Sequence, residues 1–571
     1  MLIADKSMKK IIFPVLMVCL LFFTCNTTEV SLDDLKETGQ VEAALRKTSF
    51  SKGVNFSQWF EAATAHEIPF TMYGEQDFAD LKSLGADVIR LPIRMHSMTG
   101  GAPDYTLDPL FLKFLDIAVD WAEKYELYLI IDNHSFHPVN ATSDDVDSVL
   151  LPVWAQIARR YNDRSEYVLY EILNEPHGIS DERWGEIQEM AIETIRKYDR
   201  KHTIIVGGTD FNSVSKLHSI PDYSDTNLIY TFHFYDPFLF THQGASWSPP
   251  MEYLSKVPFP ANKKKMPKLH RKLKGTWIEN SLSNYEHDAA SSMLLSTLDR
   301  VTAFSRERDV PVFCGEFGVY IPQSPPEDRV VWYEFVAGAL DRRNISRTSW
   351  DYFGGFGIFD NDGKNFDSDI NTAVVRALRF TPPLQNPHSK QPLTSGFTLF
   401  DDYPARENPA WYWGDEDAEF SFYETDAAEG EFAIRWENAG CYNGFRFNLD
   451  RKGNLSGLAE AGYCVEFLAR ADKPVRFDVR FINPESPSSN PWRMSYTINA
   501  DVLPPDGQWH KIRIPFQDMR EQGAWVGSKQ RWLNPQGKFS WEQVNRLEFA
   551  AEHNDMKGCK VWFDSIKIAE P

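Results

Sequence analysis

The chain has 571 residues, with 81 acidic against 60 basic side chains and a formal net charge of −21. Such a field repels nucleic acid and polyanionic substrates but is indifferent to a neutral polymer such as a glucan. The length exceeds one ordinary domain, and 14% aromatic with 25% charged residues excludes a disordered chain.

The first 25 residues read as a secretory signal. Lys9 and Lys10 precede an apolar run over 11–23 that is short for a membrane span. Cys25 closes that run in the manner of a bacterial lipoprotein site, although Thr24 stands where a smaller residue is usual. A polar linker over 26–47 follows. From 48 to 380 short β-rich runs alternate with amphipathic stretches. Strands are expected over 53–56, 87–91, 127–132, 168–173, 203–206, 228–233, 310–314 and 347–350. Helical patterns fill 110–125, 149–161, 183–198 and 290–308. Strand–helix alternation repeated eight times predicts an α/β fold, a (β/α)8 TIM barrel. A doubly wound sheet fits less well, because no Gly-rich phosphate loop follows the first strand. The basic stretch 263–274 reads as a solvated loop insertion.

Residues 381–394 are Pro-rich and polar, a second linker. Beyond it, 395–571 alternates in the period of strands and predicts an all-β sandwich of the jelly-roll kind. This part holds nine of the 17 tryptophans. Trp436 and Trp562 lie within strand patterns and are expected in the core. Trp492, Trp525 and Trp532 fall in loop-like context, where exposed planar rings could grip a sugar polymer. Cys314 lies in a predicted barrel strand and reads as a small buried apolar residue. Cys441, Cys464 and Cys559 leave room for one disulfide whose pairing the spacing does not define.

In a barrel, function collects at the C-terminal ends of the strands. This chain presents Arg90, His134, Asn174, Glu175, His233, Tyr235, Glu316 and Trp350 there. Two carboxylates facing one crevice are what glycosidic bond cleavage requires: one protonated to donate, one ionised to attack or to activate water. Both are glutamates with an intrinsic pKa of roughly 4.3, so only their surroundings can separate them. Arg90 and the Tyr235 hydroxyl are placed to keep Glu316 ionised. Glu175 is then the acid, raised by burial and by the charge of Glu316, with His233 beside it to hold or relay its proton. A metal-dependent hydrolase built on His134, His137 and His233 is a weaker reading, because these residues sit on separate exits without a supporting carboxylate.

The stretches Gly53-Val-Asn55, Val88-Ile-Arg-Leu-Pro92, Ile130-Ile-Asp-Asn-His134, Tyr170-Glu-Ile-Leu-Asn-Glu-Pro176, His233-Phe-Tyr235, Cys314-Gly-Glu-Phe-Gly318 and Trp350 together resemble glycoside hydrolase family 5, the cellulase-like retaining barrels. The resemblance covers about residues 49–380. It implies Glu175 as acid/base, Glu316 as nucleophile, and Asn174 on the 2-hydroxyl of the sugar being cleaved. Arg90, His134, His233 and Tyr235 would form the supporting shell, and Trp350 the aromatic floor. Asn133 departs from the pattern, since many members carry an aromatic residue before the histidine. A retaining double displacement without metal or organic cofactor is implied, on a β-linked polysaccharide or oligosaccharide, most simply as an endo-β-1,4-glucanase. β-Mannanase, xyloglucanase and β-1,3-glucanase share the mechanism, and a non-catalytic surface glycan-binding protein is a further alternative. Trp59 and Trp247 stand near strand exits, where either packing or sugar stacking would suit them. The C-terminal region resembles, more loosely, a carbohydrate-binding module. The implied location is secreted or held at the bacterial envelope through Cys25, with no nucleic-acid partner.

Overall fold

Eight short apolar runs pair in chain order into a closed parallel barrel in the computed structural model. The structure describes residues 45–571 apart from 137–138, 361–364, 387–390, 450–452, 487–488 and 553. Cys25, the apolar run 11–23 and His137 therefore lie outside the described residues. The strands are β1 (Lys52–Asn55), β2 (Val88–Ile93), β3 (Tyr128–Asn133), β4 (Val168–Glu171), β5 (Thr203–Gly207), β6 (Leu228–His233), β7 (Val312–Glu316) and β8 (Ser346–Ser349). Strands β2 and β6 are buried along their whole length. That is the burial expected of parallel strands with side chains inside the barrel on one face and helices on the other.

The helices begin where the sequence supplies a cap. Asp108 accepts a hydrogen bond from the Leu110 amide and Pro109 occupies the first turn of α1 (Pro109–Lys124). Ser180 accepts from the Arg183 amide at the start of α2 (Asp181–Arg196). In α1, Phe111, Phe114, Leu115, Ala118, Val119 and Ala122 are buried, the stripe that a 3.6-residue period presents to the strands.

Inside the barrel, the alternation of the strands creates layers. Phe50, Val88, Ile130, Leu169, Ile205, Ile229 and Phe313 form one apolar cluster. Two residues further along β2 to β7, on the same face, stand Arg90, Asp132, Glu171, Gly207, Thr231 and Gly315. The interior thus turns from apolar to polar within one strand repeat. The two glycines make room for this layer. A Cβ on Gly315 would meet Thr231 Oγ1 at 2.8 Å, and one on Gly207 would meet Asn212 Oδ1 at 2.4 Å.

The connection from β6 to β7 is the longest in the barrel and carries helices Trp277–Asp288 and Ser291–Arg308. The basic stretch 263–274 lies within it at the surface, with Leu273 turned inward.

Beyond the barrel, the strands form antiparallel sheets. One runs Ala410–Trp413, Gly444–Asn448, Arg546–Ala550, Phe477–Ile482, Arg493–Ile498, Arg520–Gln522. The other is centred on Lys560–Ala569, which pairs with Phe397–Asp401, Ala433–Glu437 and Cys464–Ala471. They pack face to face through aromatic side chains, with Phe563 of one sheet edge-on to both Phe445 and Phe549 of the other at 5.2 Å. Trp436 is buried among them. Two tryptophans depart from expectation. Trp562 is half-buried on the outer face, covered by the Arg470 guanidinium at 4.1 Å, because its strand places Val561 and Phe563 inward. Trp492, expected in an open loop, is buried. Trp525 and Trp532 face each other across a two-stranded ribbon and remain exposed. Cys314, Cys441, Cys464 and Cys559 are all free thiols, so the disulfide that spacing allowed is not formed.

These sheets pack on the segment that follows β1. The Phe70 amide donates to the Tyr423 hydroxyl at 3.1 Å, that hydroxyl donates to the Ile68 carbonyl, and His66 meets Ser421 Oγ at 2.9 Å. Tyr403 leans on Phe70 and Phe114, and Arg406 pairs with Asp77 at 2.8 Å. Among the described residues, no helix is long and apolar enough to cross a membrane.

Candidate active site

The C-terminal ends of the strands surround a cavity of about 960 Å³. Glu175, Glu316, His134, His233, Tyr235 and Trp350 all line it. Arg90 lies beneath, wholly buried, and Asn174 lies beside it. All eight residues singled out from the sequence are therefore brought together.

Arg90 is the hub. Its Nε and Nη2 donate to the two Glu171 oxygens at 2.8 and 2.9 Å, a bidentate pair. Nη1 donates to Glu316 Oε1 at 2.8 Å and to Asn55 Oδ1 at 3.0 Å. Nη2 also reaches Asn174 Oδ1 at 2.8 Å and Asp132 Oδ2 at 3.0 Å. Burial disfavours the guanidinium charge, but Asp132, Glu171 and Glu316 outweigh that cost and hold its pKa above the ordinary value. Asn55 completes the brace by donating to the Gly315 and Ser349 carbonyls, tying β1 to β7 and β8.

Glu316 is the last residue of β7 and lies in register with His233 of β6. Its Oε1 accepts from Arg90, and its Oε2 accepts from the Tyr235 hydroxyl at 2.9 Å. Both oxygens therefore accept a hydrogen bond from a side-chain donor. The Tyr235 hydroxyl is itself held well above its usual pKa, by burial and then by Glu316 and Glu175, so it stays a proton donor.

Glu175 sits in the opposite environment. It lies four residues past the end of β4 with φ +47°, a left-handed conformation that costs a non-glycine residue about 1–2 kcal/mol. Its Oε1 is 2.6 Å from His233 Nδ1. Burial raises its pKa to about 7, against the opposing charges of His134 and Arg90. Burial, one of the two causes expected, is what holds it up, and the charge that adds to it is that of Asp132 rather than Glu316. His233 is lowered to about 4, again by burial, with Glu316 opposing. Near neutral pH the imidazole is uncharged, so the short contact is a hydrogen bond within a Glu175–His233 pair rather than an ion pair.

His134 donates from Nδ1 to Asp132 Oδ2 at 2.8 Å and stacks beside Trp350 at 5.6 Å. Burial opposes a charge on this ring, but Asp132 outweighs it and raises the pKa to about 9. Its Nε2 meets the Asn174 amide nitrogen at 3.2 Å, a contact that needs a lone pair there. The Asn174 orientation is set by Arg90 at its oxygen, so Asp132 and Asn174 pull His134 toward opposite protonation states.

Several contributors carry no signal of their own in the sequence. Asp132 and Glu171 become visible only as the polar residues two positions beyond buried apolar ones. Asp351 lines the cavity although 3% exposed; its Oδ2 accepts from the Ser57 hydroxyl at 2.6 Å, and burial, aided by Glu61, raises its pKa to about 7. Asp210, Phe211 and Asn212 are three successive left-handed residues after β5, and the Asn212 amide lies 3.5 Å from His233 Nε2. Trp59 is fully buried, with its indole N–H on the Phe70 carbonyl, so packing rather than stacking is its place. Trp247 is 44% exposed on the cavity wall.

Glu175, His233 and Glu316 each offer one ligand atom, all within 4.8 Å of one another. That convergence would suit a cation by geometry alone. The Arg90 guanidinium on Glu316 and the hydrogen bond between Glu175 and His233 already use these atoms, and a second positive charge beside Arg90 is disfavoured.

The chain is similar to several known proteins. Endoglucanase H of Acetivibrio thermocellus is 27% identical over 517 residues, covering 86% of this chain and 51% of that protein. Endoglucanase 3 of Fibrobacter succinogenes is 29% identical over 54% of this chain and 50% of its own. Endoglucanase C of Acetivibrio thermocellus is 27% identical, covering 57% of this chain and 98% of its own. The chain thus spans about half the length of the first two relatives. Among solved structures, endoglucanase Cel5A from Thermotoga maritima has 28% identity and a TM-score of 0.49, over 57% of this chain and 96% of that one. The model of the cellulase family, glycosyl hydrolase family 5, matches residues 49–354. That match takes in more than half of the chain and every residue assembled around Arg90, and the chain belongs to glycosyl hydrolase family 5.

Proposed function

We propose that this protein is a retaining β-glycoside hydrolase acting within β-linked glucan chains, an endo-β-1,4-glucanase. The observation that carries the reading is the pairing of Glu175 and Glu316, with carboxylate oxygens within 4.8 Å in opposite electrostatic surroundings. Retaining enzymes hold their carboxyl groups roughly 5–5.5 Å apart, whereas inverting ones leave roughly 6.5–9.5 Å for a water. The relatives named endoglucanase support the substrate class.

In this mechanism the ionised Glu316 attacks the anomeric carbon as the glycosidic C–O bond breaks. The proton on Glu175 passes to the departing oxygen, which keeps the leaving sugar neutral. Arg90 and Tyr235 orient the attacking carboxylate and stabilise its charge until it is spent in the bond. Glu175, now ionised, then takes a proton from water as that water attacks the same carbon and frees Glu316. Trp350 forms the floor beneath the sugar, and Asn174, held by Arg90, presents its amide to the 2-hydroxyl.

Replacement separates the two roles. Glu316→Ala is expected to abolish hydrolysis of β-1,4-glucan while the protein still binds the polymer. Glu175→Ala is expected to lower turnover by roughly 10²–10⁴-fold, and azide should restore turnover on an activated aryl glycoside by giving the β-configured glycosyl azide. An α-configured product would refute retention.

The C-terminal sheets are proposed to bind the same polymer, supported by the exposed pair Trp525 and Trp532. Loss of retardation in a β-glucan affinity gel on replacing both is the corresponding test. Export through segment 1–25, with lipidation at Cys25, is proposed from the sequence pattern alone; labelling with a palmitate analogue that persists in Cys25→Ser would exclude it.

A further inference from the structure

Three successive residues after β5, Asp210, Phe211 and Asn212, have φ of +52°, +61° and +53°. Left-handed backbone is uncommon outside glycine, and most of all for a bulky residue such as phenylalanine. Such a conformation persists only where the surroundings over-determine it. Here the surroundings are the loop that carries the acid. The Phe211 amide donates to the Pro176 carbonyl at 3.3 Å, and the Phe211 ring stacks on His177 at 4.1 Å. His177 in turn meets the Glu175 carbonyl through Nδ1 at 3.0 Å. This fastening sets Asn212, wholly buried, against the side of His233 that points away from Glu175.

A neutral imidazole has two ring nitrogens and one proton between them. Nδ1 of His233 lies 2.6 Å from Glu175 Oε1. Nε2 has one hydrogen-bonding partner among the described residues, the Asn212 amide nitrogen at 3.5 Å. An amide N–H only donates, so Nε2 offers its lone pair and the ring proton sits on Nδ1. Nδ1–H then donates to Glu175 Oε1. The carboxyl proton is left for Oε2, the oxygen that His233 does not engage, on a side chain 21% exposed at the cavity. The opposite tautomer would instead draw that proton onto the contact with Nδ1, away from the substrate.

We propose that Asn212 is a positioning residue that fixes the tautomer of His233 and so keeps the Glu175 proton on the oxygen facing the glycosidic bond. The inference rests on the hydrolase reading above. Nδ1–H serves both halves of the cycle, because it also stabilises the Glu175 carboxylate once its proton has left. Other charged groups bear on the pair. Glu316 Oε2 lies 3.6 Å from Nδ1, Arg90, Glu171 and His134 act on His233, and Arg90, His134, His177 and Asp132 act on Glu175. None of them is a hydrogen-bonding partner of Nε2 among the described residues, which leaves the choice of tautomer to Asn212.

The test uses two aryl β-cellobiosides and the full-length protein. A phenyl leaving group needs a proton to depart, whereas 2,4-dinitrophenyl does not, and kcat/KM reports only through the bond-breaking step. Asn212→Asp keeps the size of the side chain and suits a left-handed backbone, but turns an acceptor toward Nε2 in place of a donor. It is expected to lower kcat/KM on the phenyl substrate roughly tenfold or more, and to leave the dinitrophenyl value within about twofold. The alkaline limb on the phenyl substrate should move to lower pH, since a second ring proton held by the new carboxylate makes His233 a cation that favours ionised Glu175. Asn212→Gly removes the amide at little backbone cost and should show the same contrast with a smaller loss. Equal losses on both substrates in the folded variants would mark Asn212 as structural and overturn the inference. Unchanged values on both would overturn it as well, with the hydrolase reading intact. Failure of the unaltered enzyme to cleave either cellobioside would overturn that reading and the inference with it.

Discussion

At the residue scale, two side chains of the same chemical type are separated by what touches them. Glu316 meets a guanidinium and a hydroxyl, whereas Glu175 meets an imidazole in a buried setting. The sign of the pH dependence follows. Glu175 must carry a proton to protonate the leaving oxygen, and its pKa is raised to about 7, so kcat/KM should be sustained below that value and fall as pH rises through it. A profile for the free enzyme with its alkaline limb near pH 7 is expected, and Glu175→Gln should remove that limb along with most of the activity. A limb that survives the replacement belongs to another group, and Asp351, also raised to about 7, is then the first to examine. Asp351 illustrates why part of the site stays hidden in the sequence. Nothing about an aspartate after Trp350 distinguishes it until the fold buries it against Ser57 and beside the cavity.

At the scale of the element, the period of two in a strand sets the chemistry. Because Val88, Ile130 and Leu169 point inward, so must Arg90, Asp132 and Glu171, and charged groups are brought into one layer with each other as partners. β7 and β5 contribute glycines at that level, and Gly315 leaves the space that Thr231 and His233 occupy. An added methyl at Gly315 would sit 2.8 Å from Thr231 Oγ1 and 3.3 Å from His233 Nε2. Gly315→Ala is therefore expected to push His233 away from Glu175 and lower kcat about tenfold or more, since small misplacements at reacting groups are costly. The thermal midpoint should fall by only a few degrees. Unchanged kcat in a folded variant would mean that Glu175 does not depend on the placement of His233.

At the scale of the whole molecule, the C-terminal sheets are more than an appendage on a linker. Tyr423 holds the backbone at Ile68 and Phe70, in the same segment after β1 that supplies Gln58 and Glu61 to the cavity wall. Arg406 reaches back to Asp77, whose buried carboxyl is raised to about 6 even with that partner present. Removing Arg406 leaves a buried carboxylate without its counter-charge, which costs about 1–3 kcal/mol once the group is ionised. Arg406→Ala should lower the thermal midpoint clearly at pH 8 and little at pH 5, where Asp77 is largely protonated in either case. Equal losses at both pH values would show that the arginine contributes packing rather than charge.

How much of this was legible beforehand depends on the range of the interaction. The repeating strand–helix pattern defined a barrel, and the strand exits then pointed to Glu175, Glu316, Arg90, His233 and Tyr235, because the end of a strand is a local property of the chain. The β-rich C-terminal region was equally legible from its alternation. Which residues meet across the barrel was not. Asn212 reaches His233 across the pairing of β5 with β6, and Asn55 ties β1 to β7 and β8 through closure of the sheet, neither through neighbouring sequence. The tryptophans make the same point, since Trp59 and Trp247 read alike in sequence yet one is sealed in the core and the other lines the cavity. Local periodicity determined the elements and the identity of the two glutamates. Only the tertiary structure decided their surroundings, because burial and charge are set by groups far apart in the chain.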